Sequence, residues 1–272
     1  MMTRKISLDH STTPMLTPAE TIRLAHELRC DGVVLRINTY PGATKTYSIP
    51  DDAELRRAIR NDLANTGMYL AMASPFEIKP GVAIKDMAKA LDGAADVGAR
   101  GLNVVVYDTD KSVHEDKVGE LAEEAGKRGL RTLIEFFALS GCDSIEYTVG
   151  LIQKLGHPML GMNADSLHVT RTGATMAQLA AVPRGLIGHA QIDDGPRTLP
   201  REKQMDEARG ERLLPGEGEF DLIGFVRALP EDVTIGVEAP TTSAFARGVT
   251  MEEHGRAAIE ATRRVIAAAL AV

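Results

Sequence analysis

The chain has 272 residues, 44% of them hydrophobic, a formal charge of −7, 4% aromatic residues and no tryptophan. That is enough apolar material for one large core, and the absence of a basic face with stacking rings excludes a nucleic-acid footprint. Two cysteines, Cys30 and Cys142, make no disulfide framework. No apolar run reaches membrane-spanning length and the start, "MMTRKISLDH", has no apolar signal core, so the expectation is a soluble, cytoplasmic protein.

Short β-like runs alternate with amphipathic helices along the chain. The first run is "KISLDH" (5–10), followed by "TPAE" (17–20), where Thr17 is the N-cap, Pro18 opens the helix and Glu20 completes a capping box. Ile22, Ala25 and Leu28 continue at helical spacing, and Gly32, like Gly67 and Gly129 later, is expected to close a helix in the left-handed region. The next runs are "GVVLRIN" (32–38), "MYLAMAS" (68–74) and "GLNVVVY" (101–107). "SVHE" (112–115) predicts a second capping box, ahead of Val118, Leu121, Ala122 and Ala125 on one helix face. Then come "LRTLIEFF" (130–137), "MLGMNAD" (159–165), a short helix within "TMAQLAAVP" (175–183) and "GLIGHAQID" (185–193). A long charged connection, 193–220, contains the turn-rich "PGEGEFD" (215–221). The last run is "VTIGVEA" (233–239), and "TMEE" (250–253) repeats the capping box.

Eight strand–helix units without a dividing linker predict an α/β fold, a single-domain (β/α)8 TIM barrel over 1–272. The alternative is a doubly wound open sheet, but no Gly-rich dinucleotide fingerprint follows the first strand. Long βα connections build sites in barrels, so 193–220 is expected to fold over the mouth.

Strand side chains alternate between faces. In the fifth strand Ile134 and Phe136 share one face, leaving Leu133 and Glu135 on the other. The same count turns Gly161, Asn163 and Asp165 inward, then Ile187, His189, Gln191 and Asp193, then Gly236 and Glu238. Four consecutive strands therefore end on an inward polar group: Glu135, Asp165, Gln191 and Glu238. Unpaired carboxylates are costly to bury. Three of them converging with an amide oxygen make a cage of hard donors for one divalent ion, Mn2+ or Mg2+ first and Co2+ as an alternative. The competing reading is a ring of residues paired with Arg or Lys. Glu135 and Glu238 come from strands separated by two others and could straddle a substrate as catalytic base and acid. His189, one layer below Gln191, reads either as a donor supporting the site or as a satisfied core histidine. His10, Arg36, Glu77 and Tyr107 stand near the ends of strands one to four as candidates for shaping the pocket. Arg171, close to Asp165, either meets substrate or pins its own loop.

"LIEFF", "DSLH" (165–168), "AQIDD" (190–194), the Arg197 six residues after Gln191, "LLPGEGEFD" and "GVEAP" resemble the xylose-isomerase-like TIM-barrel superfamily over nearly the whole chain. This is the sugar phosphate isomerase/epimerase group, with tagatose epimerases and 3-dehydroshikimate dehydratases among its members. The resemblance implies Glu135, Asp165, Gln191 and Glu238 as metal ligands, and His168 and Arg197 as contacts to substrate oxygens. It implies an isomerase or epimerase that abstracts a proton beside the carbonyl of a keto-sugar, keto-polyol or keto-cyclitol. One departure matters: the epimerases usually carry His where this chain has Gln191, and Gln is similar to the dehydratase branch. The alternative is therefore a dehydratase that loses a β-hydroxyl at the same site. An endonuclease IV-like barrel would need a His-rich multi-metal site and a basic surface. A non-catalytic sugar-binding barrel would not need two opposed glutamates. The loops after strands seven and eight show no Gly-rich phosphate cradle, which favours a non-phosphorylated substrate. The partners expected are a small carbohydrate or cyclitol, no nucleic acid and no membrane, with homo-oligomer formation left open.

Overall fold

Parallel strands joined by helices must bury both sheet faces, and the computed structural model of the chain, which describes residues 4–271, does so by closing the sheet. The strands are β1 (Ile6–Asp9), β2 (Gly32–Arg36), β3 (Tyr69–Ile78), β4 (Ala99–Val106), β5 (Arg131–Glu135), β6 (Leu160–Asp165), β7 (Ile187–Ile192) and β8 (Ile235–Val237). They pair in sequence order, all parallel, and β8 returns to β1 through Ser7 opposite Gly236 and Leu8 opposite Val237. This is the (β/α)8 barrel, and closure removes the open-sheet alternative.

Two apolar layers follow from the alternation. Outside the barrel wall, Leu8, Val104, Ile134, Met162 and Val237 pack with helix residues such as Ile22, Leu121, Phe225 and Ile259. Inside, Val34, Met72 and Leu133, with Ala71 and Tyr69, plug the lower half of the barrel. A residue two positions beyond a plug residue therefore stands one layer higher and faces inward. Leu133 places Glu135 in this way, and Val34 places Arg36.

The surrounding helices are α1 (Pro18–Glu27), α2 (Ala53–Thr66), α3 (Ala88–Asp96), α4 (His114–Gly126), α5 (Ile145–Leu155), α6 (Ser166–Arg171), α7 (Met176–Ala181), α8 (Gln204–Gly210), α9 (Leu222–Ala228), α10 (Thr242–Ala246) and α11 (Met251–Leu270). The capping boxes at Thr17 and Thr250 form as expected. Ser112 does not cap α4; Asp110 instead accepts from the Ser112 amide and caps a short 3-10 turn ahead of the helix. Gly67 closes α2 at φ 70°. Gly32 instead starts β2, where a Cβ would lie 2.6 Å from the Tyr69 carbonyl oxygen, and Arg29 takes the left-handed position at φ 55°. β3 runs past Pro75 because the register shifts between Ala73 and Phe76, so the missing amide falls at an irregularity. No helix among the described residues is long and apolar enough to cross a membrane.

The connection from β7 to β8 is fastened over the barrel mouth. Asp194 accepts backbone hydrogen bonds from Gly195 (2.8 Å), Gly216 (2.9 Å) and Phe220 (3.1 Å), which ties both ends of the excursion together. Arg171, at the end of α6, clamps α8 through a buried ion pair to Glu207, with Nε 2.7 Å from Oε2. Between these two ties lies Arg212, whose side chain enters the barrel.

Candidate active site

The C-terminal strand ends frame a cavity of about 420 Å3, at the end of the barrel where such folds carry their chemistry. Five buried carboxyl groups gather at this end of the barrel, Glu135 and Glu238 lining the cavity and Asp9, Asp165 and Asp193 buried beneath it. Arg212 is the guanidinium among them. Its Nη1 donates to Asp165 Oδ2 (2.7 Å), Asp193 Oδ2 (2.5 Å) and Glu238 Oε2 (3.0 Å). A chain of amides runs beside it. Asn103 Nδ2 donates to Glu135 Oε2 (2.9 Å), and Asn163 Nδ2 donates to Asn103 Oδ1 (3.1 Å) and to Gln191 Oε1. Gln191 Nε2 donates in turn to Asp9 Oδ2 (3.1 Å). His168 packs on Phe137 with ring centres 4.7 Å apart and brings Nε2 to 3.7 Å from Glu135 Oε1.

One guanidinium does not keep all these acids ionised. Burial pushes Asp165 up, but Arg212 and His168 outweigh it and hold that carboxyl below its ordinary value. Asp9 is likewise pushed up by burial and held low by His10, the Ser11 amide and Gln191. Burial and the neighbouring Asp165 charge drive Glu135 up to about 8, against Arg212 and Asn103. Asp193 and Glu238 rise well above the carboxylate range, burial again leading and Arg212 opposing. His168 and His189 are pushed down to about 4 by burial and stay neutral at neutral pH.

The inward quartet does not assemble as a symmetrical cage. Glu135 and Asp165 converge, but their third partner is His168: one donor atom from each lies within 4.8 Å of the others. Gln191 sits level with Asp165 in the sheet, yet its oxygen faces Asn163 and its amide nitrogen Asp9. Glu238 lines the cavity with its carboxylate on Arg212. The ring thus combines both sequence readings, part cation-ready cluster and part arginine-paired acids.

Arg197 is exposed and outside the cavity lining; its amide donates to Glu219 Oε2 (3.0 Å) and its carbonyl accepts from Arg171. The long connection delivers Arg212 instead, because α8 intervenes and the ties at Asp194 and Glu207 turn the later residue inward. Arg171 pins the loop rather than reaching the cavity. His189 lies below Gln191 against Gly236, its Nε2 buried without a partner among the described residues. His168, His10, Arg36, Glu77 and Tyr107 all line the mouth. Arg212, Asp9 and Asn103 are not singled out by the sequence. Two of them carry a signal: Arg212 directly precedes the turn "LLPGEG", and Asn103 is a lone amide in an apolar strand.

The donor set fits a divalent cation. Glu135, Asp165 and His168 bring one donor atom each within 4.8 Å of the others, while His168 Nδ1 and Asn163 Oδ1 are buried without partners among the described residues. Carboxylate oxygens with one imidazole suit such an ion.

His189 makes a separate prediction about stability. Its folded pKa of about 4 lies below the ordinary 6.5, so the unfolded chain binds the proton first as pH falls. The stability of neutral His189 is complete above about pH 6.5 and lost on the way to about 4. The stability difference between wild type and His189→Gln should change by on the order of 3 kcal/mol across that window, read from urea midpoints at pH 7 and pH 4. A pH-independent difference would show that the imidazole is not buried in its neutral form.

Comparison with known proteins follows the same lines. Residues 22–268 match the family model described as xylose isomerase-like TIM barrel. A 3-dehydroshikimate dehydratase of Pseudomonas putida is 26% identical over 185 residues, covering 62% of this chain and 28% of the relative. A 3-dehydroshikimate dehydratase of Pseudomonas aeruginosa is 31% identical over 112 residues, covering 41% of this chain and 17% of the relative. The chain therefore spans well under a third of these curated relatives' length. Among solved structures, the IolI protein with a bound zinc atom superposes with a TM-score of 0.81 at 18% identity, covering 98% of this chain and 100% of that one. The probable 3-DHS dehydratase AsbF of Bacillus anthracis gives 0.77 at 14% identity, covering 95% and 98%. The D-psicose 3-epimerase of Clostridium cellulolyticum H10 gives 0.74 at 12% identity, covering 96% and 99%. At these identities the likeness to solved structures is one of fold.

Proposed function

Because the chain belongs to the xylose isomerase-like TIM barrel family, we propose that it is a metal-dependent enzyme that takes a proton from the carbon beside a carbonyl and expels the β-hydroxyl as water. The substrate class is a small non-phosphorylated keto-sugar, keto-polyol or keto-cyclitol, and the chain acts as one barrel domain. The observation that carries this reading is the meeting of Glu135, Asp165 and His168 beside a cavity that Glu135, His168 and Glu238 line.

A divalent ion held by Glu135, Asp165 and His168, with Gln191 and Glu238 adjoining, would polarise the substrate carbonyl. The protein's own groups then divide the proton work. With a cation held among Glu135, Asp165 and His168, the Glu135 carboxyl would give its proton to solvent and stand ionised as the base. Glu238, whose pKa is raised well above the carboxylate range, keeps a proton to give to the departing hydroxyl. Asn103 fixes one oxygen of Glu135, so the other is the one free to reach the substrate. Elimination is favoured over proton return by Gln191, which is similar to the dehydratase branch, and by the curated relatives, both 3-dehydroshikimate dehydratases. Isomerisation or epimerisation is the second reading, supported by two glutamates lining one cavity.

Dialysis against a chelator should abolish turnover, and Mn2+, Mg2+ or Co2+ should restore it. The product distinguishes the outcomes: an unsaturated ketone absorbing in the near ultraviolet for dehydration, or deuterium at the α-carbon for epimerisation in heavy water. Turnover that survives chelation would remove the metal from the reading.

A further inference from the structure

We propose that Arg36 is an anion subsite that receives a carboxylate of the substrate, so that this barrel selects an acidic hydroxy-ketone over a neutral one. The inference rests on the function proposed above and adds the recognition group.

Arg36 is the last residue of β2, two positions beyond the plug residue Val34, and alternation turns it into the cavity it lines. Its guanidinium stands 5.4 Å from the centre of the Tyr40 ring, and its Nε is buried with no partner among the described residues. No described residue makes an ion pair or a side-chain hydrogen bond with it. The nearby acid at the mouth, Glu77, is already taken by Lys79. The contrast with other partly covered arginines is direct: Arg4 donates to the carbonyls of Val226, Leu229 and Pro230, Arg171 pairs with Glu207, and Arg212 pairs with three acids. A buried donor left unsatisfied is costly, and a fork of N–H groups beside a cavity matches a carboxylate in shape and charge.

The position also orders the charges. In the closed ring of eight strands β2 lies opposite β6, which carries Asp165. Glu135, Asp165, Asp193 and Glu238 gather at the ends of β5 to β8 and disfavour an anionic group there, while Asp9, on β1 beside β2, is engaged by His10, the Ser11 amide and Gln191. A substrate with its carbonyl over that cluster must carry any negative charge toward the far wall, where Arg36 stands. Arg209, the other arginine lining the mouth without an acid partner among the described residues, is exposed on α8, where water competes for its charge.

The test measures calorimetric binding of two probes, shikimate and its primary amide, to the intact protein. They share a ring polyol and differ in charge at one group. Wild type should bind the acid about ten- to a hundredfold more tightly than the amide, the range for a charge-assisted hydrogen bond. Arg36→Met should close that gap by weakening the acid alone, Arg36→Lys should keep part of it, and Arg209→Met should leave it in place. Circular dichroism checks that each variant folds, and the lysine variant carries the test should the methionine variant not. Equal binding of both probes by wild type, saturable binding of neither, a gap surviving Arg36→Met, or a gap lost only in Arg209→Met would each overturn the subsite. Failure of the parent reading shows elsewhere, as turnover that survives chelation or loss of the Glu135 carboxyl. Neither result depends on how a charge is recognised.

Discussion

Arg212→Met is expected to lower the stability of the protein by about 3–5 kcal/mol, the usual consequence of removing one partner from a buried ion cluster. Methionine keeps most of the length and apolar stem, so the loss reports charge and hydrogen bonding more than volume. Asp165, Asp193 and Glu238 would keep their burial and lose the donor that now sits 2.5–3.0 Å from each. The sign of the pH dependence follows. Without Arg212 the folded-state pKa values of Asp193 and Glu238 rise further above their unfolded values near 4, and Asp165 loses the partner that holds it low, so the folded state holds more protons than the unfolded one. Stability then falls as pH rises through the raised values. The variant should lie nearest wild type at about pH 5 and furthest from it at about pH 8, as read from urea midpoints. Arg212→Lys should recover only part of the loss, because a point charge on a flexible stem cannot bridge three acids as a planar guanidinium does. A methionine variant within about 0.5 kcal/mol of wild type, the range for ordinary surface substitutions, would mean that the acids shed their charge without help from Arg212.

Arg212 also marks the limit of what periodicity reveals. A period of two assigns each strand residue to a face, and that sufficed to turn Glu135, Asp165, Gln191 and Glu238 into the barrel and to count eight units. It does not name the partner that meets a residue there. Arg212 reaches the floor because Asp194 ties residues 195, 216 and 220 and because Arg171 grips Glu207, contacts between segments far apart in the chain. Arg197, nearer in sequence to Gln191, is left outside by the same ties. Gln191 turns its oxygen from the cluster because Asn163 on β6 and Asp9 on β1 satisfy both ends of its amide, and Asp9 is beside it only once the barrel has closed. Capping shows the same division. Thr17 and Thr250 act within four residues and were readable, whereas Ser112 yields to a 3-10 turn that the local pattern does not announce.

Glu135→Gln is expected to cost a hundredfold or more in kcat, on the order of what a positioned general base contributes, while leaving the fold intact. The two effects separate because of where the carboxyl stands. In the metal-free protein burial and the Asp165 charge hold Glu135 protonated up to about pH 8, and an amide is close in shape to a protonated carboxyl. Its oxygen can still accept from Asn103 Nδ2, now 2.9 Å from Oε2. The folded-state pKa of about 8 lies above the ordinary 4.5, so the wild-type carboxyl costs stability as pH rises through that window, and glutamine removes the cost. The urea midpoint of metal-free Glu135→Gln should therefore equal that of metal-free wild type near pH 4 and exceed it near pH 8. A structural residue would lose stability and activity together, whereas a proton-transfer residue loses activity alone. Glu238→Gln should also lose turnover, but it exchanges an oxygen that accepts from Arg212 Nη1 at 3.0 Å and need not be silent in stability. In heavy water the wild-type enzyme should show deuterium at the α-carbon of product or release an unsaturated ketone, and Glu135→Gln should slow that step by the same factor as turnover. Near-native turnover in both variants would take proton abstraction away from these carboxyls and leave hydrolysis as the better reading of the cavity.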